Sequence, residues 1–114
     1  MNLSQKKCLP CQSGEARLTN IEMIDYLKEI MDWKVIAEDE EFRLLKEYHF
    51  TDYEETMYFV NKIAALAEHN EHHPVMLVEF RSLKVWWWTH KVGGLHENDF
   101  IMAAKTDELL TVFS

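Results

Sequence analysis

The sequence predicts an α+β fold, in which a four-stranded antiparallel sheet carries three helices packed on one face, in the order α-β-β-α-β-β-α. Apolar residues recur at helical spacing in three segments, and four short β-prone runs form two pairs joined by turns. Helices placed between hairpins favour a layered antiparallel architecture. The 114 residues, 47% of them hydrophobic, suffice for one core. We therefore expect a flexible N-terminal tail over residues 1–17 and a single domain over residues 18–114.

The first predicted helix lies in residues 18–31, LTNIEMIDYLKEIM. Thr19 followed by Glu22 fits a capping box, in which each side chain bonds the backbone N–H of the other residue. The helical spacing indicates an apolar stripe that we expect to face the sheet. This stripe comprises Ile21, Ile24, Leu27 and Met31.

The next segment, residues 33–50, predicts two strands around an acidic turn near Glu38 to Glu41, with the second strand from Phe42 to Phe50. Thr51 and Glu54 repeat the capping-box signature and predict the start of the second helix. The apolar surface of this helix is wide enough to cover a sheet and also contact another subunit. It comprises Met57, Val60, Ala64 and Ala67, widened by Phe59, Ile63 and Leu66.

The segment VMLVEFRSLKVWWWTH predicts a hairpin whose two-residue loop is Arg81–Ser82. Pro74 ends the second helix and favours extended backbone at His73. The expected cross-strand pairs are Phe80–Leu83, Val78–Val85 and Met76–Trp87 on one face, and Glu79–Lys84, Leu77–Trp86, Val75–Trp88 and His73–His90 on the other. A third helix is expected from about Glu97, because Glu97 and Asp99 suit the positive end of a helix dipole.

Composition excludes several classes of function. The formal net charge of −8 opposes simple binding to nucleic-acid phosphates or anionic membranes. No apolar run approaches the roughly 20 residues of a membrane span, and the N-terminal stretch lacks the apolar core of a secretory signal. We therefore expect a cytoplasmic protein. Cys8 and Cys11 form a Cys-x-x-Cys pair without a preceding strand, which indicates two reduced thiols; a metal bound with a histidine or a second subunit is the alternative.

The segment EHNEHHPV concentrates three of the six histidines where a helix gives way to a strand. One interpretation is a metal site using His69, His72, His73 and His90. Adjacent extended residues point to opposite faces, however, and no HExxH spacing is present. A second interpretation is a polar helix end, since the dipole favours histidine there. This explains His69 better than it explains the expected pairing of His73 with His90.

A third interpretation is an acid–base site. Histidines around an aromatic hollow could protonate a leaving hydroxyl and accept a proton from a ring nitrogen. Glu68 and Asp99 would orient the imidazoles. Trp86 and Trp88 would either stack on a flat heterocycle or fill a subunit interface. No Gly-rich phosphate loop is present, and covalent catalysis is not indicated.

These residues resemble the pterin-4a-carbinolamine dehydratase family, whose pattern is an acidic residue, His-His-Pro, an aromatic residue, a later histidine and a later aspartate. The matching positions are Glu68, His72, His73, Pro74, Phe80, His90 and Asp99. The resemblance implies a hydro-lyase that converts 4a-hydroxytetrahydropterin to quinonoid dihydropterin without a metal or other cofactor. This reaction recycles the pterin of aromatic amino acid hydroxylases.

By the same resemblance, His72 and His90 would share the general acid and base roles, and His73 would mainly hold the pterin. Glu68 and Asp99 would be supporting carboxylates, with Pro74 and Trp88 at the substrate. The family implies a homodimer or homotetramer and a functional link to an aromatic amino acid hydroxylase. Two alternatives stay open: a protein-binding module, as in animal members that act as dimerisation partners of a homeodomain transcription factor, and a role around molybdopterin cofactors.

Overall fold

The computed structural model describes residues 2–8 and 18–110 and confirms the α+β fold. Its helices and strands, in chain order, are α1 (Asn20–Leu27), β1 (Lys34–Glu38), β2 (Glu41–His49), α2 (Tyr53–Asn70), β3 (Val75–Glu79), β4 (Ser82–Trp87) and α3 (Glu97–Glu108). All neighbouring strands are antiparallel, and their order across the sheet is β1-β2-β4-β3, which makes β1 and β3 the edges. Within the described ranges, no helix has the length and apolar character needed to span a membrane.

The hydrophobic core lies between one face of the sheet and the helices. Alternate residues of the central strands β2 and β4 point into it, as the period of two in a strand requires. All three helices contribute to the same cluster, which defines a two-layer fold. Its buried members include Leu44, Tyr48, Leu83, Val85 and Trp87 from the sheet and Met23, Phe59, Ile63, Ala67, Phe100 and Ile101 from the helices.

Helix α1 has the predicted capping box, but it turns a different side to the core. Thr19 and Glu22 bond each other's backbone N–H groups. The predicted apolar stripe is wrong in part: Leu27 packs against the core, but Ile21 and Ile24 are 75% and 58% exposed, whereas Met23 is buried. Two overlapping sets of apolar residues share this short helix, and spacing alone cannot choose between them.

The first hairpin confirms the predicted acidic turn, with each strand boundary shifted by about one residue. The loop residues Asp39 and Glu40 have φ angles of 50° and 65°. Two consecutive positive φ angles are the signature of a type I′ hairpin turn, whose twist matches that of the strands. This turn fixes the register in which Glu38 pairs with Glu41.

Helix α2 begins two residues later than predicted. Its N-cap is Asp52, whose carboxylate accepts the Glu55 N–H at 2.8 Å, so the Thr51–Glu54 capping box is wrong. Thr51 instead donates its backbone N–H to the Glu55 carboxylate, and aspartate is at least as good an N-cap as threonine. The buried side consists of Thr56, Phe59, Ile63 and Ala67, while the predicted Ala64 is exposed.

The β3–β4 hairpin is confirmed, but its predicted register is wrong by two residues. The loop is Phe80–Arg81, so Val78 pairs with Leu83 and Val75 with Trp86. A shift of two keeps every side chain on its predicted face. Contacts outside the hairpin select this turn: Phe50 donates its N–H to the Arg81 carbonyl at 2.8 Å, and the Thr56 hydroxyl contacts the Phe80 carbonyl at 3.3 Å.

Residues 2–8 differ from the flexible tail that we expected. Leu3 begins a short 3₁₀ helix and is 1% exposed within the core. Its N–H bonds the Glu29 carboxylate at 3.0 Å, and Lys105 of α3 donates to the Ser4 carbonyl at 2.9 Å. This segment is therefore docked against α3 and against the turn that follows α1. Residues 9–17, which include Cys11, lie outside the described residues.

Candidate active site

His72 is held by a buried carboxylate and a tryptophan ring. Its Nε2 lies 2.6 Å from Oδ1 of Asp99, and its ring is stacked on the indole of Trp87 with the planes 13° apart. Asp99 is fully buried, whereas the His72 side chain is 14% exposed. The imidazole is thus fixed in orientation while one part of it still reaches solvent.

Asp99 accepts hydrogen bonds on both oxygens. Besides His72, the Thr89 hydroxyl donates to Oδ2 at 2.8 Å and the His96 N–H donates to the same atom at 2.9 Å. A carboxylate surrounded by donors, at the first turn of α3, fits an ionised aspartate, because the helix dipole and the donors both stabilise negative charge. His72 therefore donates through Nε2, and Nδ1 is the nitrogen not committed to Asp99.

The end of α2 explains why His72 points toward α3. Glu71 adopts the left-handed conformation, with φ 54° and ψ 37°, and ends the helix. The His72 N–H bonds the Ala67 carbonyl at 3.2 Å, and the Glu71 N–H bonds the Glu68 carbonyl, which together form a Schellman motif. Pro74 then excludes a further helical turn. The chain therefore changes direction within the short segment that contains His72 and His73.

His73 lies on the surface beside Glu68. Its Nε2 is 2.6 Å from the Glu68 Oε1, and the two side chains are 60% and 79% exposed. The pair forms across the end of α2, with Glu68 in the last helical turn. Its exposure suits contact with a bound molecule and keeps the ion pair weak in water.

His90 begins a short 3₁₀ helix, His90–Val92, directly after Thr89. The indole N–H of Trp88 donates to His90 Nδ1 at 3.3 Å, and the rings meet edge to face. The guanidinium of Arg43 lies 4.0 Å above the Trp88 ring, and the Glu41 carboxylate is 3.9 Å from His90 Nδ1. One face of Trp88 is therefore covered by Arg43.

In the structure, the predicted site residues are linked by contacts that differ from the predicted cross-strand pairing. The pairing of His73 with His90 across the hairpin is wrong, because the register differs and β4 ends at Trp87. Instead, His72 is bonded to Asp99, Asp99 to Thr89, and His90 follows Thr89 in the chain. Sequence reasoning missed Thr89, although it lies between Trp88 and His90 in the chain. It also missed Arg43, Glu41 and the Trp87 stack, which carry no local sequence signal.

Three of the four histidines of the metal hypothesis contact separate partners: His72 contacts Asp99, His73 contacts Glu68, and His90 contacts Trp88. Across residues 2–8 and 18–110, no three histidine, cysteine, aspartate or glutamate side chains are grouped so that they could hold a metal ion. Within the same ranges, Cys8 forms no disulfide. The donor set around His72 is one imidazole, one carboxylate and one hydroxyl, which suits a hydrogen-bonded network.

A second carboxylate in the first turn of α3 is also tied down. Glu97 accepts from the Tyr26 hydroxyl at 2.7 Å and from Lys6 at 3.2 Å. The Tyr26 hydrogen bond, aided by Lys6, lowers the pKa of Glu97. Burial, together with the Glu97 contact, raises the pKa of Tyr26 to about 12. These bonds attach α1 and the N-terminal segment to the start of the helix that positions Asp99.

Comparison with known proteins shows the same family from several directions. Residues 16–109 match the family model described as pterin 4 alpha carbinolamine dehydratase. Proteins of Marinobacter nauticus and Nitrosococcus oceani, both provisionally named pterin-4-alpha-carbinolamine dehydratase, are each 44% identical, over 95% and 96% of this chain and 97% and 96% of their own.

A crystal structure from Brucella melitensis, described as a transcriptional coactivator/pterin dehydratase, has a TM-score of 0.74 and 28% identity. The match covers 82% of this chain and 97% of that one. The family model, the relatives matched over nearly their whole length and the shared fold all indicate the same family. The chain belongs to the pterin-4-alpha-carbinolamine dehydratase family.

Proposed function

We propose that this protein dehydrates 4a-hydroxytetrahydropterin to quinonoid dihydropterin by histidine acid–base catalysis. The observation that carries the proposal is the bond between His72 and buried Asp99, which is linked through Thr89 to the segment that bears His90. Two imidazoles with fixed and different hydrogen bonds are what a paired proton delivery and removal requires.

The hydrogen bonds assign complementary roles to the two rings. His72 donates through Nε2 to Asp99, so its Nδ1 is free to accept the proton of the ring nitrogen next to C4a. His90 accepts at Nδ1 from Trp88, so in the neutral ring Nε2 carries the proton and can donate it to the hydroxyl. The C4a–O bond then breaks with its electron pair leaving on water, and the pair of the N–H bond forms the new C=N bond.

His73 and Glu68 would contact the pterin rather than transfer its protons. Their bond at 2.6 Å lies at the surface, next to His72 in the chain. Pro74 fixes the extended backbone that follows. No metal or further cofactor takes part in this scheme. The product would return to the pterin pool of an aromatic amino acid hydroxylase in the cytoplasm.

The test is the dehydration rate of freshly generated 4a-hydroxytetrahydropterin, with and without protein and in the presence of a chelator. We expect acceleration that survives the chelator. His72→Gln and His90→Gln should each lower kcat by about 100-fold. His49→Gln is the matched control, because His49 is an exposed histidine of β2 outside the site. Full activity in both site variants would contradict the proposal.

Association through the open edge of the sheet is a second proposal, favoured by apolar side chains on β3. Val75 and Leu77 are 48% and 46% exposed on a strand with an unpaired edge. A second copy of this chain would cover them and give a homodimer or a homotetramer.

Leu77→Lys should shift the mass in solution, measured by light scattering, to that of a monomer. An unchanged mass would exclude this edge as the interface. Binding of another protein there would be the module role implied by the Brucella melitensis relative.

A further inference from the structure

Arg43 is a nearly buried cation. Packing in the hydrophobic core of the described residues does not explain why it is buried. Its side chain is 12% exposed, and its Nε is buried without a hydrogen-bond partner among those residues. It lies on β2, on the face of the sheet opposite the helices. Because Leu44 pairs with Trp87, Arg43 lies opposite Trp88, one residue beyond the end of β4.

Two sets of contacts hold the guanidinium in place. Its carbon is 4.0 Å from the centre of the Trp88 ring, within the range of a cation–π interaction. Its Nη atoms contact three carboxylates around the β1–β2 turn, Glu38 at 2.8 Å, Asp39 at 3.5 Å and Glu41 at 3.9 Å. Arg43 therefore joins the first hairpin to Trp88, which lies two residues before His90.

Both groups that Arg43 holds also face His90 Nδ1. Trp88 donates its indole N–H to that atom at 3.3 Å. Oε1 of Glu41 is 3.9 Å from the same nitrogen and 3.9 Å from Arg43 Nη2. An indole N–H can only donate and a carboxylate can only accept, so these two neighbours favour opposite tautomers of His90.

We propose that Arg43 is a positioning residue for His90: it keeps the Trp88 N–H on Nδ1 and draws the Glu41 carboxylate away, so that the neutral ring carries its proton on Nε2. The inference rests on the role proposed above for His90 as proton donor. Arg43 acts on the His90 ring indirectly, through Trp88 and Glu41. Lysine would not replace it, because an ammonium lacks the planar group that stacks on the indole.

The tautomer of His90 can be read directly from the ring nitrogens by long-range ¹H–¹⁵N spectra of the labelled full-length protein, with the ring neutral. We expect a single Nε2–H form in the wild type. Arg43→Met should convert His90 mainly to the Nδ1–H form bound to Glu41. Trp88→Phe, which keeps a ring beneath Arg43 but deletes the N–H, should do the same. Arg81→Met is the matched control, since Arg81 lies over Phe80 in the other hairpin.

A triple variant separates action through the two neighbours from a direct effect of Arg43. If Arg43 acts only through Trp88 and Glu41, adding Arg43→Met to Trp88→Phe/Glu41→Gln should not change the tautomer further. A further change on that addition, or a wild-type tautomer in the Arg43→Met single variant, would overturn the proposal. The His72 ring signals, unchanged in each variant, establish that the fold is intact. If Arg43→Met does not fold, Trp88→Phe with Glu41→Gln tests the same competition.

Kinetic measurements separate the role of Arg43 from the proposed dehydratase activity. For Arg43→Met we expect kcat to fall about tenfold with an unchanged KM, since a misplaced proton donor slows the chemical step. Arg81→Met should have wild-type kcat. An inactive wild type with the predicted tautomer changes would refute the dehydratase and support the link from Arg43 to His90. An active wild type whose Arg43→Met variant keeps both the tautomer and kcat would refute the link alone.

Discussion

Asp99 is a charged side chain with no exposed surface, a placement that is costly unless every lone pair finds a donor. Its donors are the ring of His72, the hydroxyl of Thr89 and the N–H of His96. The first turn of α3 adds the positive end of the helix dipole. The same bonds that make the burial tolerable also fix which nitrogen of His72 is protonated.

Asp99→Asn should therefore harm both stability and the site. An amide presents one acceptor and one NH₂ group, so at least one existing donor would face another donor. We expect a loss of about 2–3 kcal/mol in the free energy of unfolding, measured by urea denaturation. Asp25→Asn, at an exposed pair with Lys28, should change it by less than about 0.5 kcal/mol. Equal effects of the two changes would contradict the role given to Asp99.

The bond between Tyr26 and Glu97 should make stability depend on pH in the acid range. The pKa of Glu97 is lowered in the folded state, first of all by the Tyr26 hydroxyl. The stabilisation is therefore present above the unfolded pKa of 4.5 and is lost as the pH falls through the lower folded pKa. Tyr26→Phe should cost about 1 kcal/mol at neutral pH and progressively less below pH 4.5. A cost independent of pH would show that packing, and not the carboxylate, sets the effect.

At the scale of the elements, the backbone strain in the site lies at the end of helix α2. Glu71 occupies a left-handed conformation that glycine adopts without cost. Glu71→Gly should raise the free energy of unfolding by about 1 kcal/mol, because the Cβ penalty is relieved and the Schellman bonds stay. Chemical denaturation measures the change, and Glu40→Gly in the β1–β2 turn offers a comparison at another positive φ. A destabilised Glu71→Gly variant would indicate that its side chain, and not its backbone, holds the turn.

Local signals predicted the elements, whereas tertiary contacts decided how some of them face and pair. The Thr19 capping box, the acidic turn and the Pro74 boundary depend on neighbouring residues and were predicted correctly. The buried side of α1 and the register of β3 on β4 were not. Each depends on partners more than 20 residues away, such as the Phe50 bond to Arg81.

The same division applies to the site. His72, His73, His90, Glu68 and Asp99 could be named from the sequence because they form a spaced motif. Which of them bond each other could not, since that follows from the docking of α3 on the end of α2. The sequence carries no local signal for Arg43, because its role depends on the strand pairing that brings it opposite Trp88.

At the scale of the whole molecule, one carboxylate joins three parts of the fold. Asp107 in the last turn of α3 accepts from the Trp33 indole at 3.0 Å, from Lys46 at 2.7 Å and from the Tyr48 hydroxyl. Trp33 follows α1, and the other two donors lie on β2. Burial and the negative charge of Asp107 raise the pKa of Tyr48, so its hydroxyl stays protonated as a donor.

Asp107→Ala should destabilise the whole domain by about 3 kcal/mol, because it leaves a buried hydroxyl and an indole N–H without acceptors and leaves Lys46 with only the more distant Asp32 as an ionic partner. Thermal or urea unfolding would measure it. Glu108→Ala, at the exposed neighbouring position, is the comparison and should be near neutral. A loss in Asp107→Ala that Tyr48→Phe/Trp33→Phe does not diminish would argue against this cluster as the cause.

Two of the three donors of Asp99 reach it only through tertiary docking, whereas the His96 N–H belongs to the start of the same helix. His72 follows the end of α2, Thr89 follows the last strand, and His96 is the N-cap of α3. The carboxylate is satisfied only when His72 and Thr89 have docked, so a half-assembled domain would bury an incompletely bonded charge. Recovery of the His72–Asp99 contact during refolding would therefore report tertiary docking and not helix formation. A slow-exchanging His72 ring proton would mark molecules that have completed the fold.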